Sequence, residues 1–170
     1  EFLVFATANG KVKRTAVADY HNVNKGGIRA INLNEDDALI DVIKTDGTGH
    51  ILLATKQGMS IRFDENDARQ MGRTAAGVKG INLAKDDKVV GAVLAEDDAD
   101  LMTMTENGFG KRTPMEEYLV HSKDGATRPQ GRGGKGRRDI RTEGRNGPTV
   151  ISWMHRFHRI HIVRQPGARP

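Results

Sequence analysis

The sequence predicts an all-β fold built from repeated four-stranded blades, arranged as a propeller-like disc. Three observations carry this. A pattern of apolar run, turn glycine and basic residues occurs three times, with its glycine at Gly10, Gly58 and Gly108, steps of 48 and 50 residues. A second pattern repeats at an offset of 50, Gly27-Ile28-Arg29-Ala30-Ile31-Asn32-Leu33 against Gly77-Val78-Lys79-Gly80-Ile81-Asn82-Leu83. Every apolar run is short, rich in Val and Ile, and bounded by Gly, Asn or Asp, which are strand and hairpin signals. A period near 50 with these signals reads as an array of blades. No helix of ordinary length fits the first 100 residues.

The elements follow in order. Phe2-Leu3-Val4-Phe5-Ala6-Thr7 is the first strand, Ala8-Asn9-Gly10 its turn, and Lys11-Val12-Lys13-Arg14-Thr15 the second strand. The same hairpin returns as Ile51–Thr55 with Met59–Phe63, and as Leu101–Thr105 with Phe109–Thr113. The Gly27 and Gly77 segments supply a third strand. Polar turns follow them, Asn34-Glu35-Asp36-Asp37 and Ala84-Lys85-Asp86-Asp87, before a last apolar run at 38–43 and 88–94. The expected blades are therefore about 1–50, 51–100 and 101–150. Residues 151–170, with Trp153, four Arg and no acid, read as an atypical basic tail, a disordered or non-native extension.

The chain has 170 residues, no initiator Met and no cysteine. It opens inside a strand, which reads as a piece of a longer protein. Without cysteine there is neither a disulfide nor a thiolate metal site, as suits a reducing cytoplasm. No apolar stretch approaches a membrane span and no signal peptide is visible. Net charge is +5, unevenly spread: −1 over 1–50, −2 over 51–100, +4 over 101–150 and +4 over 151–170. A polyanion would be held by local basic faces, the third unit foremost.

That unit carries Arg128-Pro129-Gln130-Gly131-Arg132-Gly133-Gly134-Lys135-Gly136-Arg137-Arg138. Glycines let a backbone approach a phosphate and expose its N–H groups, while Arg and Lys supply charge. The alternative is a solvated basic loop. Gly131-x-Gly133-x-x-Gly136 formally matches a dinucleotide fingerprint, but neither a buried strand nor a helix flanks it. Gly134-Lys135 is followed by Gly136 instead of Ser or Thr, which excludes a phosphate-binding P-loop. Asp36-Asp37 and Asp86-Asp87 recur at one repeat position between strands, so turn chemistry is favoured over a cation site; Asp97-Asp98 also falls short of one. His155, His158 and His161 would align on a helix, but the nearby arginines disfavour a metal. No acid–base or nucleophile set emerges, which argues against an independent enzyme.

The repeats resemble the C-terminal domain of the DNA gyrase A subunit. Phe5-Ala6-Thr7-Ala8-Asn9-Gly10-Lys11-Val12-Lys13-Arg14-Thr15, Met71-Gly72-Arg73-Thr74-Ala75-Ala76-Gly77-Val78-Lys79-Gly80-Ile81 and Thr105-Glu106-Asn107-Gly108-Phe109-Gly110-Lys111-Arg112-Thr113-Pro114 carry the likeness. So does Gln130-Gly131-Arg132-Gly133-Gly134-Lys135-Gly136, which matches the family's gyrase-A box at all but Gly131, where a basic residue is usual. The resemblance implies a β-pinwheel whose neighbouring blades exchange strands. It implies a non-catalytic module that binds double-stranded DNA around a basic rim and wraps it, supporting ATP-dependent negative supercoiling by the whole type IIA topoisomerase. Partners would be the N-terminal region of the gyrase A protein and the gyrase B protein, in the cytoplasm on the bacterial chromosome. No cofactor is expected for the domain itself, ATP and Mg2+ being used elsewhere in the enzyme. The family's cleavage tyrosine lies in a different domain, and Tyr20 and Tyr118 match no cleavage motif. Alternatives are the corresponding disc of topoisomerase IV and a protein-interaction propeller.

Expected DNA-binding residues follow the repeats. The first hairpins offer Lys11, Lys13 and Arg14, then Arg62, then Lys111 and Arg112. The second patterns offer Arg29, Arg73 and Lys79. The glycine-rich segment offers Arg128, Gln130, Arg132, Lys135, Arg137 and Arg138. Strand alternation puts Val12 with Arg14 on one face and Lys11 with Lys13 on the other, so not all of these can face DNA. A basic track from blade to blade could bend a duplex if its contacts outweigh a deformation cost of roughly 1–6 kcal/mol.

Overall fold

The computed structural model describes residues 1–155, with Ile151–His155 described as backbone only. Thirteen strands run in chain order among these residues. They are β1 (Phe2–Thr7), β2 (Lys11–Ala16), β3 (Leu39–Thr45), β4 (His50–Thr55), β5 (Met59–Asp64), β6 (Val78–Lys79) and β7 (Val89–Ala95). After them come β8 (Asp100–Thr105), β9 (Gly110–Pro114), β10 (Val120–His121), β11 (Thr127–Arg128), β12 (Arg137–Arg138) and β13 (Thr149–His155). Single 3-10 turns at Val17–Tyr20, Glu65–Asp67 and Met115–Tyr118 follow β2, β5 and β9. The all-β expectation holds.

The blades are sheets ordered β3-β1-β2-β6, β7-β4-β5-β12 and β13-β8-β9, all pairs antiparallel. The outer strand of each complete blade comes from the next repeat. β6 of unit two lies on β2 of blade one, with Lys11 opposite Lys79 and Val12 opposite Val78. β12 of unit three lies on β5 of blade two, with Ser60 opposite Arg137 and Met59 opposite Arg138. Sequence repeats and sheets therefore divide the chain differently. Two glycines make the exchange possible. Gly77 and Gly136 have φ of 88° and 73°, and a Cβ on them would meet Val12 O at 2.6 Å and Ser60 O at 2.4 Å. Only a residue without a Cβ lets the donated strand come this close.

The hydrophobic core lies between blades. Val4, Ala6 and Val12 of blade one meet Ile51, Leu53, Ile61 and Phe63 of blade two, with Ile81 of the donated segment among them. Leu52 and Ala54 point to the opposite face of the same strand and meet Leu101, Met115 and Tyr118. Blade two is thus covered on both faces, which explains why Ile51-Leu52-Leu53-Ala54 is continuously apolar instead of alternating. Met102 and Met104 of β8 face away from blade two and are half-buried.

The recurrent aspartates close the hairpin turns. Asp37 accepts from Thr7 Oγ1 and Asn9 N at 2.8 Å each, and Asp87 accepts from Gln57 N at 2.9 Å. Turn chemistry accounts for both, and among the described residues no acid or histidine cluster could hold a metal ion. His158, His161 and most of the 151–170 tail lie outside the described residues.

Candidate nucleic-acid interface

The basic residues that follow each turn glycine divide by local geometry into clamps and free charges. The middle four residues of β2 and of β5 are buried on both faces, so their side chains enter contacts between segments instead of water, while Lys11 at the start of β2 is only half-buried. Lys13 is buried, with Nζ donating to Ala30 O and Arg73 O and lying 5.1 Å from the Phe5 ring centroid. Burial lowers its pKa to about 8, with the nearby Arg73 charge adding to the effect and Asp19 opposing it. Arg14 is buried too, and reaches into the next unit, to Asn66 Oδ1 at 2.7 Å and Glu65 Oε2 at 3.6 Å. Arg62 repeats that geometry one blade on. It donates to Met115 O at 3.0 Å, to His50 Nδ1 and to the Asp97 carboxylate.

These three placements correct the sequence reading. Lys13, Arg14 and Arg62 are buried and bond to groups of this chain, Arg14 Nε being the one buried donor among them left without a partner, so they are clamps between segments, not members of an exposed rim. Lys111 resembles Lys13: its Nζ donates to Asp139 O at 2.6 Å, as Lys13 does to the equivalent Ala30 O, while its side chain stays 44% exposed. Arg112 pairs with Asp100 at 3.0 Å. Two buried acids anchor these clamps, and both escaped the sequence reading. Glu65 accepts from Thr45 Oγ1 at 2.6 Å and Gly49 N at 2.7 Å. Asp139 accepts from Thr103 Oγ1 and Tyr118 Oη at 2.5 Å each, and burial, reinforced by that carboxylate, raises the Tyr118 pKa. Repeat comparison could not flag Glu65, because Val17 and Met115 stand at the equivalent positions.

The glycine-rich segment crosses from blade two to blade one. Gln130 N donates to Arg62 O at 2.8 Å, Gly133 N to Gly80 O at 2.7 Å, and Asn82 N to Gly134 O at 2.8 Å. Arg132 is half-buried, donating to Asp67 O at 3.0 Å and to Lys79 O. Contrary to the expectation of open N–H groups, the Gln130 and Gly133 amides turn inward and seam two blades together. Arg132 belongs to the same seam.

What remains is a basic stretch along the exchanged strands, in which the lysines lack internal partners. Lys11 and Lys79 stand directly opposite each other on β2 and β6. Gly133 backs onto the Lys79 stem, and Lys135 and Arg138 line a cleft of about 480 Å³ together with the acids Asp87 and Glu143 and with Met59, Asn82 and Thr142. Like charges directly opposite on neighbouring strands are destabilising, so the Lys11–Lys79 pair gains from an external anion. Among the described residues the ammonium groups of Lys11, Lys79 and Lys135 have no hydrogen-bonding or acidic partner. Arg138 is held by Glu143 at 3.2 Å and Arg137 by Glu117 at 3.4 Å, both exposed. Arg29 and Arg128 are exposed on other segments, Arg73 is half-buried beside Lys13, and Gln130 is half-buried in the seam. The structure thus sets Lys11 opposite Lys79 on the exchanged strand, places Lys135 and Arg138 together in the cleft beyond Gly133, and scatters the rest.

Strand exchange, inter-blade cores and repeat-spaced turn glycines define a β-propeller-type domain of the pinwheel kind. The family described as DNA gyrase C-terminal domain, beta-propeller, matches residues 1–46, 49–96 and 99–126, and the chain belongs to that family. The DNA gyrase A subunit of Haloquadratum walsbyi is 45% identical over 148 residues, covering 86% of this chain. Its counterpart in Staphylococcus epidermidis is 45% identical over 152 residues, covering 88%. The chain spans 16% of the length of either relative. Among solved structures, a DNA gyrase A C-terminal domain superposes with a TM-score of 0.76 at 24% identity, covering 91% of this chain and 49% of that one. The C-terminal domain of DNA topoisomerase IV superposes with a TM-score of 0.67 at 24% identity, covering 90% and 61%.

Proposed function

We propose that this chain is a DNA-binding and DNA-wrapping module of a gyrase A protein, non-catalytic in itself and supporting ATP-dependent negative supercoiling by the whole enzyme. The observation that carries the reading is the basic stretch of Lys11, Lys79, Lys135 and Arg138 along the exchanged strands, in a chain that belongs to a gyrase family. Such a stretch meets phosphates without reading bases, which is what sequence-tolerant duplex binding requires. The strands beneath it are pinned by inter-blade hydrogen bonds, so the charges hold a fixed curve against which a duplex bends. Double-stranded DNA is the ligand. The N-terminal region of the gyrase A protein and the gyrase B protein are the protein partners, in the cytoplasm at the chromosome. The domain needs no cofactor, ATP and Mg2+ serving other parts of the enzyme.

Topology trapping tests this. Nicked circular DNA is incubated with the protein, sealed by ligase, stripped of protein and resolved into topoisomers. A protein-dependent shift in linking number is expected. Binding without a shift would favour a disc that holds DNA with little wrapping, as in the topoisomerase IV alternative. No DNA binding at all would leave a protein-interaction propeller.

A further inference from the structure

The cleft beside Lys135 lies between the hairpin of blade two and the segment that follows β6. Gln57 and Met59 line it from the hairpin, and Ile81, Asn82 and Leu83 from that segment. Asp87 sits within it, and the exposed Lys135, Arg138 and Glu143 stand at its mouth. Its volume of about 480 Å³ is that of a small-molecule site. Every lining residue falls between 55 and 143, so units two and three build it whole and neither end of the chain contributes.

A comparison of repeats shows what the cleft lacks. In blade one the turn aspartate uses both oxygens, Asp37 Oδ2 accepting from Thr7 Oγ1 and Oδ1 from Asn9 N, at 2.8 Å each. Asp87 accepts from Gln57 N and Lys88 N at 2.9 Å each, both through Oδ1. Thr55 Oγ1 accepts from Met59 N at 3.1 Å, as Thr7 Oγ1 does from Lys11 N at 3.2 Å, but makes no bond to Asp87. Among the described residues Asp87 Oδ2 therefore has no partner, on a residue only 5% exposed. A buried carboxylate oxygen in that state gains from an N–H that a ligand brings. At the mouth Lys135 carries an unpaired ammonium group, and Arg138 is shared with Glu143 at 3.2 Å. The apolar flanks of Met59, Ile81 and Leu83 lie between these two ends.

We infer that the cleft holds one nucleotide, base inward and phosphate at the mouth. A base amine donates to Asp87 Oδ2, the flat ring lies on the apolar flanks, and Lys135 and Arg138 take the phosphate. Asp87 repels a phosphate, which fixes that polarity. A simple anion would answer the mouth and leave Asp87 bare. A free nucleotide and an unpaired nucleotide of a strand offer the same chemistry. The inference rests on the cleft, and wrapping of duplex DNA does not enter it.

Calorimetric titration of the protein with 2′-deoxyadenosine 5′-monophosphate tests it. Saturable one-to-one binding is expected, with deoxyadenosine and deoxyribose 5-phosphate each about tenfold weaker. Asp87→Asn keeps a carbonyl oxygen for the turn and puts an NH2 where the second oxygen stood. It is expected to lose about tenfold in affinity at an unchanged melting temperature. Glu143→Gln releases Arg138 and is expected to tighten binding about threefold, a gain that damage to the fold does not produce. A dA tetranucleotide that binds as tightly as the monomer assigns the site to an unpaired strand, and one that is excluded assigns it to a free nucleotide. Absence of saturable monomer binding overturns the inference. So does equal affinity for deoxyribose 5-phosphate, or an affinity that neither variant changes. Topology trapping reads duplex wrapping separately, so either reading can fail while the other stands.

Discussion

Lys13 is the residue whose chemistry departs furthest from its sequence reading. Its folded pKa of about 8 lies below the ordinary 10.5, so between these values the unfolded chain binds the proton and the folded chain does not. Stability contributed at this site therefore rises with pH across that window, and the cost of the buried charge is fully present below it. Denaturation of wild type and Lys13→Met in parallel should show the difference moving in favour of wild type as pH climbs from about 8 to about 10.5. A difference that stays flat would place the charge in contact with water. Arg62 makes the second residue-scale prediction. Arg62→Met removes the bonds to Met115 O and His50, and should cost about 1–3 kcal/mol in denaturant, the scale of leaving buried acceptors unpaired, since its acidic partner Asp97 is exposed. At a temperature where the variant is folded, its DNA affinity should match wild type, because Arg62 has no exposed surface to offer.

At the scale of single elements, the donated strands are two residues long, so their stability is set by fit instead of length. Gly136→Ala puts a Cβ at 2.4 Å from Ser60 O and strains a left-handed residue. The β12–β5 pairing should open, with loss of about 2 kcal/mol or more. Faster amide exchange confined to Arg137–Asp139 and the 130–134 loop would be its signature. A uniform loss of protection would show instead that blade two unfolds as a unit. Asp87→Ala acts at the hairpin turn of the same blade, on the rim of the cleft that Lys135 and Arg138 also line. It deprives Gln57 N of its acceptor and should cost about 1–2 kcal/mol. The strands themselves were legible in the sequence, since three hairpins and two donor segments recur with their glycines at fixed offsets. The faces were not. Alternation separates Val12 and Arg14 from Lys11 and Lys13, but both faces of β2 and β5 are covered by neighbouring chain. Over the middle of each strand no face is reserved for water, and the period-two pattern has no exposed side to reveal; Lys11 escapes only because it opens β2. A basic residue in such a strand reads as surface when it is a clamp.

For the whole molecule, the charge that matters is the free part of the total. Lys11, Lys79 and Lys135 carry ammonium groups clear of internal partners, so reversing Lys79 and Lys135 to Glu should weaken duplex binding at least tenfold at low salt. It should also flatten the dependence of affinity on salt, by about 0.9 counterion for each phosphate that is no longer neutralised. Melting temperature should be unchanged, because neither side chain bonds to the fold. Arg132 is unsuited to such a test. Its guanidinium ties the seam to Asp67 and Lys79, and its reversal would alter fold and surface together. An unchanged affinity in the Lys79, Lys135 double variant would remove these lysines from the proposed DNA site.

The borrowed outer strands also set an order of events during synthesis. Blade one has its first three strands once Thr45 has been made, yet its sheet gains β6 only when Val78–Lys79 emerges, 33 residues later. Blade two waits longer still, from Ala95 to Arg137. A nascent chain therefore always carries one unfinished sheet, and each newly translated unit completes its predecessor before itself. Folding on the ribosome is a ratchet that advances one unit behind translation, and a pause between Ala95 and Arg137 would leave the β5 edge bare for the longest time.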